Sequence, residues 1–155
     1  MLPRCEPVSV QIPLVECGEP LVDLREQAVL RIDPGLAGDF VWVRLSLLDR
    51  LVTAQTLLPA RVKLLVRQGY RAANPAHAAG AAVDLGLCTR DGGLVDSGDD
   101  WGEHDWGELV TALQKVGLVN HPTEWRHWSY GDSYWAYKTG AAAARYGPGN
   151  LRRCP

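Results

Sequence analysis

The chain has 155 residues and a mass of 17.0 kDa, a length that corresponds to one domain spanning residues 1–155. Hydrophobic residues make up 46% and charged residues 22%, which excludes a disordered chain and predicts a packed core. The net charge of −2, with scattered basic residues, argues against a nucleic-acid partner. No apolar run approaches the roughly 18 residues of a membrane span, so we expect no membrane partner.

The N-terminus and the cysteines bear on the cellular compartment. The first six residues lack the basic and then apolar stretches of a secretory signal, which predicts a cytoplasmic protein. No two cysteines form a CxxC pair, and in a reducing compartment we expect free thiols. They are Cys5, Cys17, Cys88 and Cys154.

The predicted elements do not follow the regular strand–helix–strand rhythm of a parallel α/β fold. Alternation and turn signals predict strands over residues 8–12 and 28–32, then a helix from 41 to 58 that Pro59 ends. Further strands are predicted over 62–66 and 83–87. A turn at 90–93 and a polar loop over 96–105 are expected to follow.

The C-terminal part predicts two more helices and an aromatic strand. Apolar spacing from Trp106 to Val116 predicts a helix, with Gly117 just after its end. A loop at 120–122, a strand over 124–130 and a helical segment over 133–145 complete the chain. We therefore predict an α+β fold, with two or three helices packed against a small mixed or antiparallel sheet.

Two short clusters supply imidazole and carboxylate groups. One runs from His77 to Asp84 through small residues, and the other joins Glu124 to His127. A hydrolytic zinc site takes three protein ligands and leaves one position for water, a need that two histidines and one aspartate meet. A turn at Gly80 is required, because seven residues of unbroken strand would place His77 and Asp84 on opposite faces.

Two more residues are candidates for catalysis. Glu124, which is not needed as a ligand, is a candidate base for the proton of zinc-bound water. Arg71, at the end of a strand before His77, is a candidate for stabilising the oxyanion that forms when water attacks a carbonyl. Two histidines compete for the ligand role: His104 lies in an acidic stretch, and His121 precedes Pro122 in a loop and is expected to be exposed.

Three motifs occur in a fixed order. They are Gly69-Tyr70-Arg71, then His77-x-x-Gly80-x-Ala82-x-Asp84, then Glu124-Trp125-x-His127-Trp128-Ser129-Tyr130-Gly131-Asp132. In this order the chain resembles the D-alanyl-D-alanine dipeptidase family, the zinc dipeptidases of the vancomycin-resistance type, which share the Hedgehog-like D,D-peptidase fold. The resemblance covers most of the chain and includes the stretch from Pro20 to Arg25.

The resemblance implies a set of roles for these residues. It implies Zn²⁺ on His77, Asp84 and His127, Glu124 as general base and acid, and Arg71 as the group that polarises the carbonyl. The implied substrate is a D,D-dipeptide such as D-Ala-D-Ala. The chain departs from the family pattern where five residues separate Arg71 from His77 in place of several tens, and where Pro75 and Arg126 replace a serine and a tryptophan.

Three functions stay open at this point. The leading hypothesis is a zinc-dependent D,D-dipeptidase, a hydrolase of cell-wall peptides. A second is a related enzyme that acts on another small amide or a biosynthetic substrate. A third is a non-catalytic protein that binds zinc or a peptide. The retained Glu124 argues against this third hypothesis. The short link between Arg71 and His77 favours either the third hypothesis or an enzyme with a changed substrate.

Overall fold

The computed structural model of the protein describes residues 12–36, 38–95 and 103–150. These ranges contain seven strands and three α-helices, with short 3₁₀ turns at Leu24–Glu26 and Gly38–Val41. In chain order they are β1 (Leu21–Asp23), β2 (Arg31–Ile32), β3 (Trp42–Arg44), α1 (Leu45–Leu57), β4 (Val62–Gln68), β5 (Ala82–Thr89), α2 (Glu103–Lys115), β6 (Val119–His121), β7 (Glu124–Ser129) and α3 (Ser133–Thr139).

The main sheet has five strands in the order β2-β4-β5-β7-β6. The edge strand β2 runs parallel to β4, and the other pairs are antiparallel. β1 and β3 form a separate antiparallel pair. The predicted α+β class is therefore confirmed, with a mixed sheet and three helices.

The hydrophobic core lies on one face of the main sheet, where α1 and α2 pack. Alternate residues of β5 enter it, namely Val83, Leu85 and Leu87, together with Trp128 of β7. α1 contributes Leu47 and Leu51, and α2 contributes Leu109 and Leu113. Because side chains alternate along a strand, Asp84 of β5 and His127 of β7 point to the opposite face.

Several element boundaries differ from the sequence predictions. The helix predicted from 41 begins at Leu45, because residues 42–44 pair with β1 as β3. The predicted strand 28–32 is reduced to two residues, and the last helix ends at Thr139, where Gly140 adopts a left-handed conformation with φ 71°. The loop predicted at 120–122 is wrong, since Val119–His121 forms β6.

Other predictions agree with the structure. β4, β5 and β7 each cover the strand predicted for them to within two residues at either end. Gly117 follows α2 with φ 85°, and its N–H donates to the carbonyl of Gln114. The N–H of Leu118 donates to the carbonyl of Leu113, which completes a Schellman ending.

Some sequence predictions fall outside the described residues. They concern the strand at 8–11, Cys5 and Cys154, and the 96–102 part of the polar loop. Of the two described cysteines, Cys17 and Cys88 are both free thiols. In the described ranges, no helix combines the length and the apolar character needed to cross a membrane.

Candidate metal centre

Asp84 and His127 face each other across two neighbouring strands. They are direct register partners in the antiparallel pair of β5 and β7. Opposite residues of such a pair project from the same face with their side chains in contact. His127 Nδ1 lies 3.4 Å from Asp84 Oδ1. The sheet itself thus builds two-thirds of the predicted ligand set.

His77 reaches the same point from the turn that precedes β5. Its carbonyl accepts hydrogen bonds from the backbone N–H groups of Arg71 and Gly80, which folds the 71–80 segment into tight turns. Gly80 adopts φ 67°, a left-handed conformation that favours glycine. The chain therefore bends before β5 begins at Ala82, and His77 Nε2 lies 3.4 Å from Asp84 Oδ1.

The three side chains converge as metal ligands do. Their ligand atoms all lie within 4.8 Å of one another, and the two imidazole rings meet edge to face with centroids 4.9 Å apart. In a tetrahedral zinc site with bonds of about 2.0–2.1 Å, neighbouring ligand atoms are about 3.4 Å apart. Both nitrogen-to-oxygen distances have this value. The residues present therefore fit a divalent ion such as zinc.

Burial and charge suit this centre to a cation. The side chains of His77 and His127 are 3% and 8% exposed, and that of Asp84 is 30% exposed. Burial alone would raise the pKa of Asp84, but hydrogen bonds and charge from His127 and His77 hold it well below its usual range. Asp84 therefore stays a carboxylate, the form that ligates metal.

A buried arginine holds the turn that carries His77. Arg44, 4% exposed, donates from its backbone N–H to Gly80 O and from Nε to Ala79 O, each at 2.8 Å. The preceding carbonyl, that of Ala78, accepts from Gly149 N–H at 2.7 Å. Three successive carbonyls after His77 are thus fixed by backbone and side-chain donors.

Arg44 also joins the two ends of the described chain. Its guanidinium donates to Glu16 Oε1 and to the carbonyl of Gly147, both at 2.9 Å, and to the carbonyl of Glu19. The Tyr146 hydroxyl donates to Glu19, and the Tyr146 ring packs against the guanidinium. We call Arg44, Glu16, Glu19 and Tyr146 the arginine clamp.

A cavity of about 420 Å³ opens beside His127. Small residues of the His77 turn form one wall, including Pro75 and Ala79. His121 and the start of α3, from Asp132 to Tyr134, form another. Burial raises the pKa of Asp132, whose Oδ1 accepts from Trp135 N–H and caps α3. The cavity has room for a small ligand in contact with His127 of the candidate metal centre.

Glu124 stands outside the group of three ligands. It is exposed, begins β7 and pairs in register with His121 of β6. The pairing shifts between Asn120 and His121, where the side-chain amide of Asn120 donates to the carbonyls of Trp125 and His127. The charge of Glu124 acts on His121, a cavity residue. Its role as a base stays a prediction.

Arg71 contacts the centre through its backbone. Its N–H donates to the His77 carbonyl at 3.2 Å, while the exposed side chain stacks on Phe40 with the guanidinium 5.0 Å from the ring centroid. Arg71 is not one of the described residues that line the cavity. Its role in polarising a carbonyl also stays a prediction.

His121, which the sequence offers only as a competitor for the ligand role, is a residue of the cavity wall. The sequence predicts an exposed loop here, yet His121 ends β6, is half-buried and contacts His127 with ring centroids 5.7 Å apart. Burial and the nearby charge of His127 lower its pKa. The neighbouring Pro122 indicates a loop and so argues against a role in the site. The spacing of six residues between His121 and His127 is the sequence signal that points to a shared site. His104 is the second residue of α2, and its side chain lies outside the described part of the structure.

Comparison with known proteins adds no family assignment. No family model matches the sequence, and no curated protein matches it.

Proposed function

We propose that this protein is a zinc-dependent hydrolase of small peptides, with D,D-dipeptides such as D-Ala-D-Ala as the substrate class. The observation that carries the proposal is the convergence of His77, Asp84 and His127: each imidazole nitrogen lies 3.4 Å from Asp84 Oδ1, and all three ligand atoms lie within 4.8 Å of one another. The order of the motifs, which resembles the D-alanyl-D-alanine dipeptidases, supports the choice of substrate and a Hedgehog-like D,D-peptidase fold.

In this proposal, metal, base and carbonyl-binding group have separate roles in amide hydrolysis. Zinc, when bound, brings a coordinated water toward a pKa near 7 and polarises a carbonyl. In the proposal, Glu124 accepts the proton of the attacking water on its carboxylate and later transfers it to the leaving amine. Arg71 holds the carbonyl oxygen, for which its exposed side chain would turn from Phe40 toward the cavity.

The size of the cavity agrees with a short substrate. About 420 Å³ is within the range of small-molecule sites, and alanines and a proline from the His77 turn line one wall. The turn is short because five residues separate Arg71 from His77. This short link favours a second candidate, a centre that binds zinc and a peptide without turnover.

The test is a paired measurement of metal content and hydrolysis. The purified protein, loaded with zinc, is expected to bind one zinc per chain and to release D-alanine from D-Ala-D-Ala, with activity lost on chelation and restored by zinc. Zinc binding without hydrolysis of D,D-dipeptides favours the second candidate. If the protein hydrolyses other small amides but no D,D-dipeptide, the proposed substrate class is wrong. A protein that binds no zinc contradicts both candidates.

A further inference from the structure

Thr123, two residues after His121 in the chain, holds the imidazole ring of His121. The backbone N–H of Thr123 donates to His121 Nδ1 at 3.3 Å, and Thr123 Oγ1 lies 3.0 Å from the same nitrogen. A backbone N–H can only donate, so Nδ1 is an acceptor. The proton of the ring is then on Nε2, which becomes a hydrogen-bond donor.

This donor belongs to a residue of the cavity wall. His121 lines the cavity together with His127, and it packs against Tyr134 with ring centroids 5.0 Å apart. Thr123 occupies Nδ1, so Nε2 is the ring nitrogen that stays available to a ligand of this cavity. Among the described residues, none accepts a hydrogen bond from Nε2.

The other side-chain donors of the described wall, apart from the proposed ligand His127, are hydroxyl groups, and His121 adds a nitrogen donor. The described lining contains the carboxyl group of Asp132 and hydroxyl groups, but no lysine or arginine. A peptide brings carbonyl and carboxylate oxygens, which cost free energy when they are desolvated without a hydrogen bond. The Nε2–H group of His121 is a nitrogen donor of this wall that is not needed as a metal ligand.

We propose that His121 Nε2–H donates a hydrogen bond to an oxygen of the peptide bound beside the metal centre, either the scissile carbonyl oxygen or the C-terminal carboxylate. The proposal rests on the proposed function, because it places a peptide in this cavity. It makes His121 a binding residue that acts through a fixed tautomer of a neutral ring.

Two substitutions of His121 distinguish the effect of its N–H donor from the effect of its ring shape. His121→Phe keeps an aromatic ring and removes the donor, whereas His121→Gln keeps an N–H group near the position of Nε2. With zinc-loaded protein and D-Ala-D-Ala, we expect kcat/KM to fall about tenfold or more in the Phe variant. The Gln variant is expected to recover most of that loss, with zinc content unchanged in both.

The C-terminal amide of the same dipeptide distinguishes the two oxygens. A loss confined to the free acid assigns the hydrogen bond to the carboxylate, and an equal loss on both peptides assigns it to the scissile carbonyl. A Phe variant with unchanged kcat/KM overturns the proposal. So does a Gln variant as impaired as the Phe variant, because the ring and not the donor would then matter.

Nitrogen-15 NMR of the histidine side chains gives a readout that does not depend on turnover. We expect His121 to show a protonated Nε2 and an unprotonated Nδ1, also in Thr123→Val, which keeps the backbone donor. Adding D-Ala-D-Ala to zinc-loaded protein is expected to shift the Nε2–H signal. A shift without hydrolysis contradicts the proposed function alone. The opposite tautomer, or a signal that saturating peptide does not move, contradicts this proposal.

Discussion

The three proposed ligand residues differ in how the structure holds them, and Asp84 lies between the two histidines. Its Oδ1 is the shared neighbour of His77 Nε2 and His127 Nδ1, at 3.4 Å from each. The two imidazoles are buried, so removing the carboxylate would leave them without the negative charge that a cation site requires.

Asp84→Ala is therefore expected to weaken zinc binding by more than about a hundredfold, because loss of a residue that only hydrogen-bonds to a ligand already costs about 10–100-fold. Equilibrium zinc titration with a chromogenic chelator measures the effect. Asp49→Ala, an exposed aspartate on α1, is the matched control and should bind like the wild type. Tight one-to-one binding in Asp84→Ala would mean that other residues hold the metal.

Glu124 has a different position, exposed at the start of β7 and outside the ligand group. A general base contributes to the rate without holding the metal. Glu124→Gln is thus expected to lower kcat by about 10²–10⁴-fold while zinc content stays at one per chain. Glu26→Gln, another exposed glutamate, serves as the control in the same assay. Full activity in Glu124→Gln would remove the base assignment.

At the scale of elements, the turn before β5 decides whether His77 meets the sheet. Gly80 has φ 67°, and a Cβ there would overlap the side chain of Leu21. Gly140 has a similar φ of 71°, but a Cβ would meet nothing within 4 Å. Comparing alanine variants at the two positions therefore distinguishes the effect of backbone strain from that of steric overlap.

Gly80→Ala is expected to lower the free energy of unfolding by about 2–4 kcal/mol, from left-handed strain together with overpacking. Gly140→Ala is expected to lose about 1–2 kcal/mol, from strain alone. Only the Gly80 variant should also weaken zinc binding, because its turn carries His77. Urea denaturation and zinc titration of both variants check this, and equal effects at the two positions would contradict it.

The strand β5 was predictable from sequence, but its partner was not. Val83, Leu85 and Leu87 alternate with Asp84, so the pattern gives both the strand and the face of the carboxylate. The register that sets Asp84 opposite His127 depends on strands far apart in the chain, which local periodicity does not encode. The sequence motifs gave the ligand hypothesis, and the sheet supplies the distances.

Short elements were missed because their signals are weak. β6 has three residues, two of them polar and followed by Pro122, which is a typical loop composition. β3 continues directly into α1, so a helical pattern that began at Val41 absorbed it. The missed strand β6 is what brings His121 to the cavity.

Across the whole molecule, the arginine clamp ties residues 14–19 and 144–149 to the turn that carries His77. Within it, burial would raise the pKa of Glu19, but hydrogen bonds from Ser46 and Tyr146 lower it below its ordinary value of 4.5. The pKa of Glu16 is also lowered: burial raises it, and Gly18 N–H and the charge of Arg44 outweigh that. Both carboxylates therefore stabilise the fold when they are ionised.

The lowered pKa values of Glu16 and Glu19 determine the pH range in which the arginine clamp weakens. A carboxyl group with a lowered folded-state pKa adds stability above its unfolded value, and that stability disappears as the pH falls through the folded value. We expect the free energy of unfolding to decrease from about pH 4.5 downward, less steeply in Glu19→Gln than in the wild type. Urea denaturation at several pH values measures this, and parallel curves for the two proteins would show that Glu19 adds no acid dependence.

We propose that one divalent ion binds between the turn before β5 and the pair of β5 and β7. A crystal of the zinc-loaded protein, measured on both sides of the zinc absorption edge, tests it most directly. We predict a single strong anomalous peak in contact with His77 Nε2, Asp84 Oδ1 and His127 Nδ1, at about 2.0–2.2 Å from each. A zinc peak elsewhere, or none at these three side chains, would contradict the account.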